Sequence, residues 1–421
     1  MNKFTYLNPL ISMPARERTT SWENSVRACS RCQGCSQSCP SYRMQPQEIF
    51  SPRGRVQLIR LFLEGKITHD QQVPFLEKSI RTCLLCARCS DVCAGNVPVA
   101  HHMVALSQAH HITLLPWLLR VLLTIRRKWP SLSHFIIRLA LALHYIRFSV
   151  LCYLLLPGWA KHLYHLIPFK THTLTVSAQS STPDLLYLPS FYTQYIEGTL
   201  AQQILQLSKA KQPFVLPYMS SGLSYYLYQS RATCLLQAKK LLLLWEKYSA
   251  DKPLPLLTDS VEEYLFIKNY PFLFQALPAW KKRAEKLAAH VRFITDLSFP
   301  KPKHLLEDLA ALDASSVLYT AQPLILPAKK ILKTFYGKNF VECEYQHFPL
   351  PVAAAGLIKN SQASKIVSEY AREIARQHLT HIYCLSGWAA LELNAELKKH
   401  YSTAKATPLI HIVCAYDTVQ K

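Results

Sequence analysis

The sequence predicts an α+β, multidomain chain: a helical N-terminal module, a basic helical linker and two tandem α/β repeats with largely parallel sheets. Three observations predict it. Eight of the thirteen cysteines fall into two copies of one pattern within the first hundred residues. A stretch without acidic residues, rich in leucine and arginine, follows. After residue 180, short apolar strands alternate with helices, which implies α/β layers around parallel sheets. The boundaries are a tail over 1–21, the cysteine module over 22–111, the linker over 112–180, and the repeats over 181–300 and 301–421. A chain of 421 residues can bury two or three cores, and 50% hydrophobic with 18% charged residues excludes wholesale disorder.

The tail, MNKFTYLNPLISMPARERTT, has no long apolar core and does not read as a signal peptide. The module then opens. Its quartets are Cys29, Cys32, Cys35 and Cys39, followed by Pro40, and Cys83, Cys86, Cys89 and Cys93, followed by Ala94. Two-residue spacers and a fourth, more distant cysteine are the spacing that binds a pair of [4Fe–4S] clusters. Three thiolates hold one cubane and the fourth reaches the other. The spacing therefore predicts Cys29, Cys32, Cys35 and Cys93 on one cluster, and Cys83, Cys86, Cys89 and Cys39 on the second. A zinc ribbon would use two isolated pairs, and a disulfide framework belongs to small secreted chains. Clusters carry single electrons and need a reducing compartment, so the expected location is cytoplasmic.

Between the quartets lies SPRGRVQLIRLFLEGKI. Ser51-Pro52 reads as a helix start and Gly65 as its end. Arg53 and Arg55 gain nothing from the helix dipole there. Two readings stay open for them: pairing with the negatively charged cluster loops, or a solvated basic turn.

The linker lies between Asp91 and Asp184, a stretch with no Asp or Glu, within a chain of net charge +22. Leu115, Leu118, Leu119 and Leu122 recur at helical spacing, with Arg120, Thr124, Arg127 and Lys128 on another side. A basic amphipathic helix lies on an anionic membrane or packs on protein. A true span would bury Arg138 and Arg147 at about 2.5–3.5 kcal/mol each. The basic residues alternate with Leu and Ile rather than with exposed aromatics, so no nucleic acid is expected. His101-His102 and His110-His111 are candidates for ligands or for protonatable groups near a quinone, against ordinary packing.

In the repeats, strands are expected at 185–189, 214–216, 317–319, 340–343, 381–385 and 409–413. Helices are expected near 194–209, 223–247, 327–337 and 362–378. LLYLPS and VLYTAQ mark corresponding places in the two halves. Ten glycines and no phosphate-cradling loop make a nucleotide site improbable.

The segments CSRCQGCSQSCPSY, SPRGRVQLIRLFLEGKI and RTCLLCARCSDVCAGNVPV resemble the iron–sulfur subunit of glycolate oxidase (glycolate dehydrogenase). Relatives are the iron–sulfur subunits of lactate utilisation and of anaerobic glycerol-3-phosphate dehydrogenase. The resemblance implies an electron-transfer subunit of a glycolate- or lactate-type 2-hydroxyacid dehydrogenase. A flavin-containing partner would oxidise the hydroxyacid. This chain would pass electrons towards quinone or another carrier, peripheral on the inner face of the cytoplasmic membrane. No complete active site lies in this chain. The family's repeats carry Cys-Cys-Gly motifs, and here these are degenerate. Ser220-Ser221-Gly222 stands at the first. Ser190 and Glu262 stand near two further cysteine positions. PLPVAAAGL and LSGWAAL replace the later motifs. The remaining cysteines, Cys152, Cys234, Cys343, Cys384 and Cys414, read as small buried hydrophobes. The alternative is a diverged two-cluster protein whose repeats are a docking scaffold for a different redox partner.

Overall fold

The computed structural model describes residues 24–66, 73–109, 117–145, 171, 173–174, 182–216, 219–250, 252–299, 304–313, 322–341, 361–376, 379–399 and 404–408.

The N-terminal module is helical. Ser51 caps the helix Pro52–Leu63 by accepting a hydrogen bond from the Gly54 amide at 2.8 Å, and Pro52 supplies the fixed φ of the first turn. Gly65, with φ 66°, follows its end. Gly54 lies against the Glu48 carbonyl so closely that a Cβ would sit 1.9 Å from that oxygen, so no larger residue fits between the two arginines. Ile59, Leu76, Ile80 and Val104 from the helices Pro52–Leu63, Val73–Arg81 and Val99–Ala109 are at most 2% exposed. Each contributes roughly 1.5–3 kcal/mol by leaving water.

Four strands form the first sheet: β1 (Leu185–Leu188), β2 (Pro213–Val215), β3 (Leu256–Thr258) and β4 (Val291–Phe293). They run parallel in the order β2-β1-β3-β4. Helices lie between successive strands, as parallel pairing requires. The second sheet contains β5 (Ala310–Asp313), β6 (His381–Cys384) and β7 (Lys405–Pro408), again parallel and in that order. Phe340 makes a parallel bridge to Ala310 on the free side of β5. The neighbour sequence is thus the same in both sheets, with Phe340 standing where β2 stands.

Several element expectations need correction. The first strand of the second sheet, Ala310–Asp313, was not expected; the strands expected at 317–319 and 409–413 lie outside the described residues. The helix expected over 223–247 is two helices, Leu223–Tyr228 and Arg231–Tyr248. Ser230 adopts an extended conformation between them and caps the second by accepting from the Thr233 amide. The strands β3 and β4 were not expected: LLT and VRF are three residues each, too short for a visible period. A helix covers Gln322–Tyr336, starting earlier than expected, with Pro327 inside it, and another covers Ser361–Arg376.

One continuous core joins the N-terminal module to the first sheet, while much of the second sheet packs in a core of its own. His101 and His102 lie in this junction, 1% and 0% exposed. The His101 Nδ1 is 3.1 Å from the Tyr226 hydroxyl and the His102 Nε2 is 3.1 Å from Ser25 Oγ. They pack the module onto the sheet. His110 and His111 lie outside the described residues.

The linker supplies the helices Trp117–Lys128 and Pro130–Tyr145. The first leans on residues 219–229. The Tyr225 hydroxyl donates to the Leu123 carbonyl at 3.4 Å, and Gln229 Nε2 donates to Thr124 Oγ1 at 3.3 Å. Thr124, expected on the polar side, therefore faces protein. Leu118, Val121, Trp129, Leu132, Phe135 and Leu139 are exposed. Among the described residues no helix is long and apolar enough to cross a membrane.

Candidate iron–sulfur centre

The two quartets share one backbone path. Arg31 and Gln33 have φ of 59° and 65°; their counterparts Leu85 and Ala87 have 53° and 56°. Left-handed backbone costs a non-glycine residue roughly 1–2 kcal/mol. Paying it twice at matching places turns the chain around its own sulfurs. The effect shows in the thiols: the Gly34 amide lowers the pKa of Cys32 and the Arg88 amide acts in the same direction on Cys86, two residues on in each case. One-turn helices, Gly34–Gln37 and Arg88–Asp91, follow each left-handed residue.

Each fourth cysteine acts electrostatically on the thiols of the other loop. The Cys35 thiol is pushed up to about 11, first by burial and then by the charges of Cys93, Cys29 and Cys32. Burial also raises Cys86, to about 12, with Cys39 and Cys83 adding to it. Cys89 rises well above its usual value through burial and then through Cys86, Cys39 and Cys83. Cys93 is thus coupled to the first quartet and Cys39 to the second, the pattern that the exchanged ligand sets would require. A close approach holds the crossing in place. Gly95, two residues after Cys93, lies against Ala28, the residue before Cys29; a Cβ on Gly95 would be 2.3 Å from the Ala28 carbonyl oxygen.

The two neighbourhoods differ in surroundings. Cys32 is exposed and Cys29, Cys35 and Cys93 are half-buried, whereas Cys39 and Cys83 are buried with Cys86 and Cys89 half-buried. Leu84 and Cys86 pack beneath Ile366, from the helix Ser361–Arg376. Arg55 is 2% exposed and sits at the second neighbourhood. Its guanidinium donates to Cys39 Sγ at 3.6 Å, to the Ser79 carbonyl and to Thr82 Oγ1. Burial opposes its charge, but the Cys83 and Cys39 thiolates outweigh burial and raise its pKa further. Arg53 takes the other reading, pairing at the surface with Glu48 at 2.7 Å.

Crowded thiolates that raise one another's pKa fit a group that brings positive charge, and Arg55 fits a group whose total charge is negative. A [4Fe–4S] cubane with four thiolates is both. Among the described residues no three His, Cys, Asp or Glu side chains converge to hold a single metal ion. A cubane spreads its ligands over separate irons and needs sulfurs farther apart than one ion does.

The degenerate repeat positions lie beyond the carboxyl ends of parallel strands, where α/β sheets place their sites. Polar side chains occupy them. Ser190 gives its amide (2.8 Å) and hydroxyl (2.5 Å) to Asp259, which also accepts from Thr193 and Tyr187 at 3.0 Å each. The Ser221 amide donates to Glu263 at 3.1 Å, and Tyr270 donates to the Ser221 carbonyl. Glu262 accepts from Ser260 at 3.0 Å. Burial raises the pKa of Asp259, Glu262 and Glu263. Sequence reasoning named Ser190, Ser220-Ser221-Gly222 and Glu262 but missed Asp259, Glu263 and Tyr270. The signal available for Glu263 was two consecutive acids in an apolar helix. Cys234 and Cys384 are buried, in the first and second core respectively; Cys152, Cys343 and Cys414 lie outside the described residues.

Residues 25–97 match the family described as a 4Fe-4S dicluster domain, and this defines the class of the N-terminal module. Two relatives make the match more particular. Over 76 residues the chain is 40% identical to the probable glycolate oxidase iron-sulfur subunit of Bacillus subtilis (strain 168), covering 18% of this chain and 16% of the relative. Over 85 residues it is 32% identical to the glycolate oxidase iron-sulfur subunit of Escherichia coli (strain K12), covering 20% of each. Both are glycolate oxidase iron–sulfur subunits, the family that the three sequence segments resemble. The matched part is a fifth or less of either relative's length. No solved structure matches.

Proposed function

We propose that this chain is the iron–sulfur electron-transfer subunit of a glycolate- or lactate-type 2-hydroxyacid dehydrogenase complex. Cys29, Cys32, Cys35 and Cys93 would hold one [4Fe–4S] cluster, and Cys83, Cys86, Cys89 and Cys39 the second. The observation that carries this reading is the pair of cysteine loops with left-handed residues at corresponding places, within a match to a 4Fe-4S dicluster domain. When bound, the clusters supply one-electron storage. The protein's part is positional. Left-handed turns aim backbone amides at the sulfurs, Gly95 locks the loops together, and Arg55 neutralises the enclosed site. A separate flavoprotein would perform the hydride step, as the glycolate oxidase relatives imply.

The test is anaerobic purification with analysis of metal and sulfide. About eight iron and eight sulfide per chain, with a flavoprotein that co-purifies and reduces the clusters on adding glycolate or lactate, supports it. Stoichiometric zinc without sulfide refutes it.

The exposed leucines and aromatics of Trp117–Lys128 and Pro130–Tyr145, set among Arg120, Arg127 and Arg138, favour attachment to an anionic membrane face on the quinone side of the complex. Vesicles containing anionic lipid should retain the protein at low salt and release it at high salt. The filling of the repeat sites by Ser, Asp, Glu and Tyr favours a second reading, in which the repeats are a scaffold that encloses the second cluster and docks a different redox partner.

A further inference from the structure

Beside the exposed quartet lies a groove of about 290 Å³, lined by Cys29, Arg27, Arg31, Arg53, Arg60 and Glu48 among others. Its charge is lopsided: four guanidinium groups and one carboxylate. Two of the four are already engaged. Arg53 pairs with Glu48, and Arg60 pairs with Glu64 at 2.8 Å. Arg27 and Arg31 make no ion pair among the described residues and are exposed. Arg31 sits between Cys29 and Cys32, at φ 59°. Two solvent-facing, unpaired arginines thus flank the more accessible thiolates of the molecule. At the second quartet, Leu84 and Cys86 pack against Ile366.

We propose that this groove is the docking site for carboxylate side chains of an acidic redox protein, which it seats against the first quartet. The inference rests on the two-cluster reading and adds the chemistry of the partner's surface and the place where it binds. Guanidinium forks match carboxylates in geometry as well as charge, and exposed basic groups steer an acidic partner before contact. Docking forms and breaks no covalent bond.

The test uses the full, cluster-loaded chain and a short fluorescent oligoglutamate peptide at low salt. Reversing both free arginines (Arg27→Glu with Arg31→Glu) should weaken peptide binding about tenfold, while the charge-matched control Lys282→Glu with Lys286→Glu changes it less than about twofold. Equal losses in the two variants would mean that net charge alone attracts the peptide, and would overturn the proposal. Displacement of the peptide by malonate at equal carboxylate concentration would make the groove a small-anion site instead, and displacement by anionic vesicles a lipid site. A shifted cluster potential with unchanged peptide binding would reduce the arginines to tuning the cluster. Iron and sulfide are measured on the same samples. A preparation without sulfide refutes the two-cluster reading, while the peptide titration still reports on the groove.

Discussion

The two cysteine loops have the same backbone and opposite surroundings. Both turn through left-handed residues at corresponding places, and in both a backbone amide two residues on favours the thiolate of the middle cysteine. Yet the amide and the Ser30 side chain lower the pKa of exposed Cys32, while burial drives Cys86 up to about 12. Local sequence builds the loop; what packs over it decides its electrostatics. In one loop charge is met by water and surface arginines. In the other it is met by a single buried guanidinium. The difference is what the docking proposal uses: one loop is open to solvent, while the other packs against Ile366.

The largest expected effect breaks the enclosed loop. Cys86→Ser should remove one cluster, halving iron from about eight to about four per chain, and should lower the melting temperature because a filled site in the core is lost. Cys32→Ser should halve iron too but leave the melting temperature closer to that of the parent. Equal melting temperatures would erase the contrast between the loops.

Arg55→Met tests the buried cation. It leaves the thiolates of Cys39 and Cys83 uncompensated and two oxygen acceptors unmatched, a loss of about 3–5 kcal/mol by analogy with broken buried pairs. Redox titration followed by electron paramagnetic resonance should show the potential of only one cluster moving negative. Its neighbour offers the control: Arg53→Met removes a surface pair worth about 0–1 kcal/mol and should leave that potential in place.

Gly95→Ala addresses the crossing. Its Cβ would collide with the Ala28 backbone, which cannot swing aside. A cost of about 1–3 kcal/mol is expected, with iron lost from the exposed site first because Cys93 is pulled from it.

The smallest effect at neutral pH concerns the packing behind the loops. Burial, and then the neighbouring His101, lowers His102 from 6.5 to about 3. Its folded pKa is depressed, so the unfolded chain binds the extra proton first. Stability is full above about pH 6.5 and falls as pH drops towards 3, by up to a few kcal/mol. His102→Gln should flatten the acid limb of a denaturation series between those limits. An unchanged limb would place the acid sensitivity elsewhere.

Much of the helical module was legible in the sequence. Ser51-Pro52 and Gly65 bracket a helix because a hydroxyl cap, a fixed φ and a glycine act within a few residues of themselves. The alternation of strands and helices in the repeats was legible for the same local reason. The short strands were not: three residues carry no period, and Leu256–Thr258 is a strand only because Leu188 and Phe293 lie beside it in the sheet. The strand Ala310–Asp313 was not legible either: AALD is a weak apolar signal, and it is a strand because His381–Cys384 pairs with it.

At the candidate site, the sequence by itself marked the expected donors, eight thiols at cluster spacing, because such spacing is written in short intervals of chain. Tertiary structure alone decided the rest. It buried Arg55 and left Arg53 in water, although they stand two residues apart on one helix. It brought Gly95 against Ala28 across more than sixty residues of chain. It set Ile366 over one loop and left arginines around the other. It filled the degenerate repeat sites with Asp259, Glu263 and Tyr270. Solvation and charge depend on everything within a few ångströms, and which residues those are is a property of the folded chain rather than of any stretch of sequence.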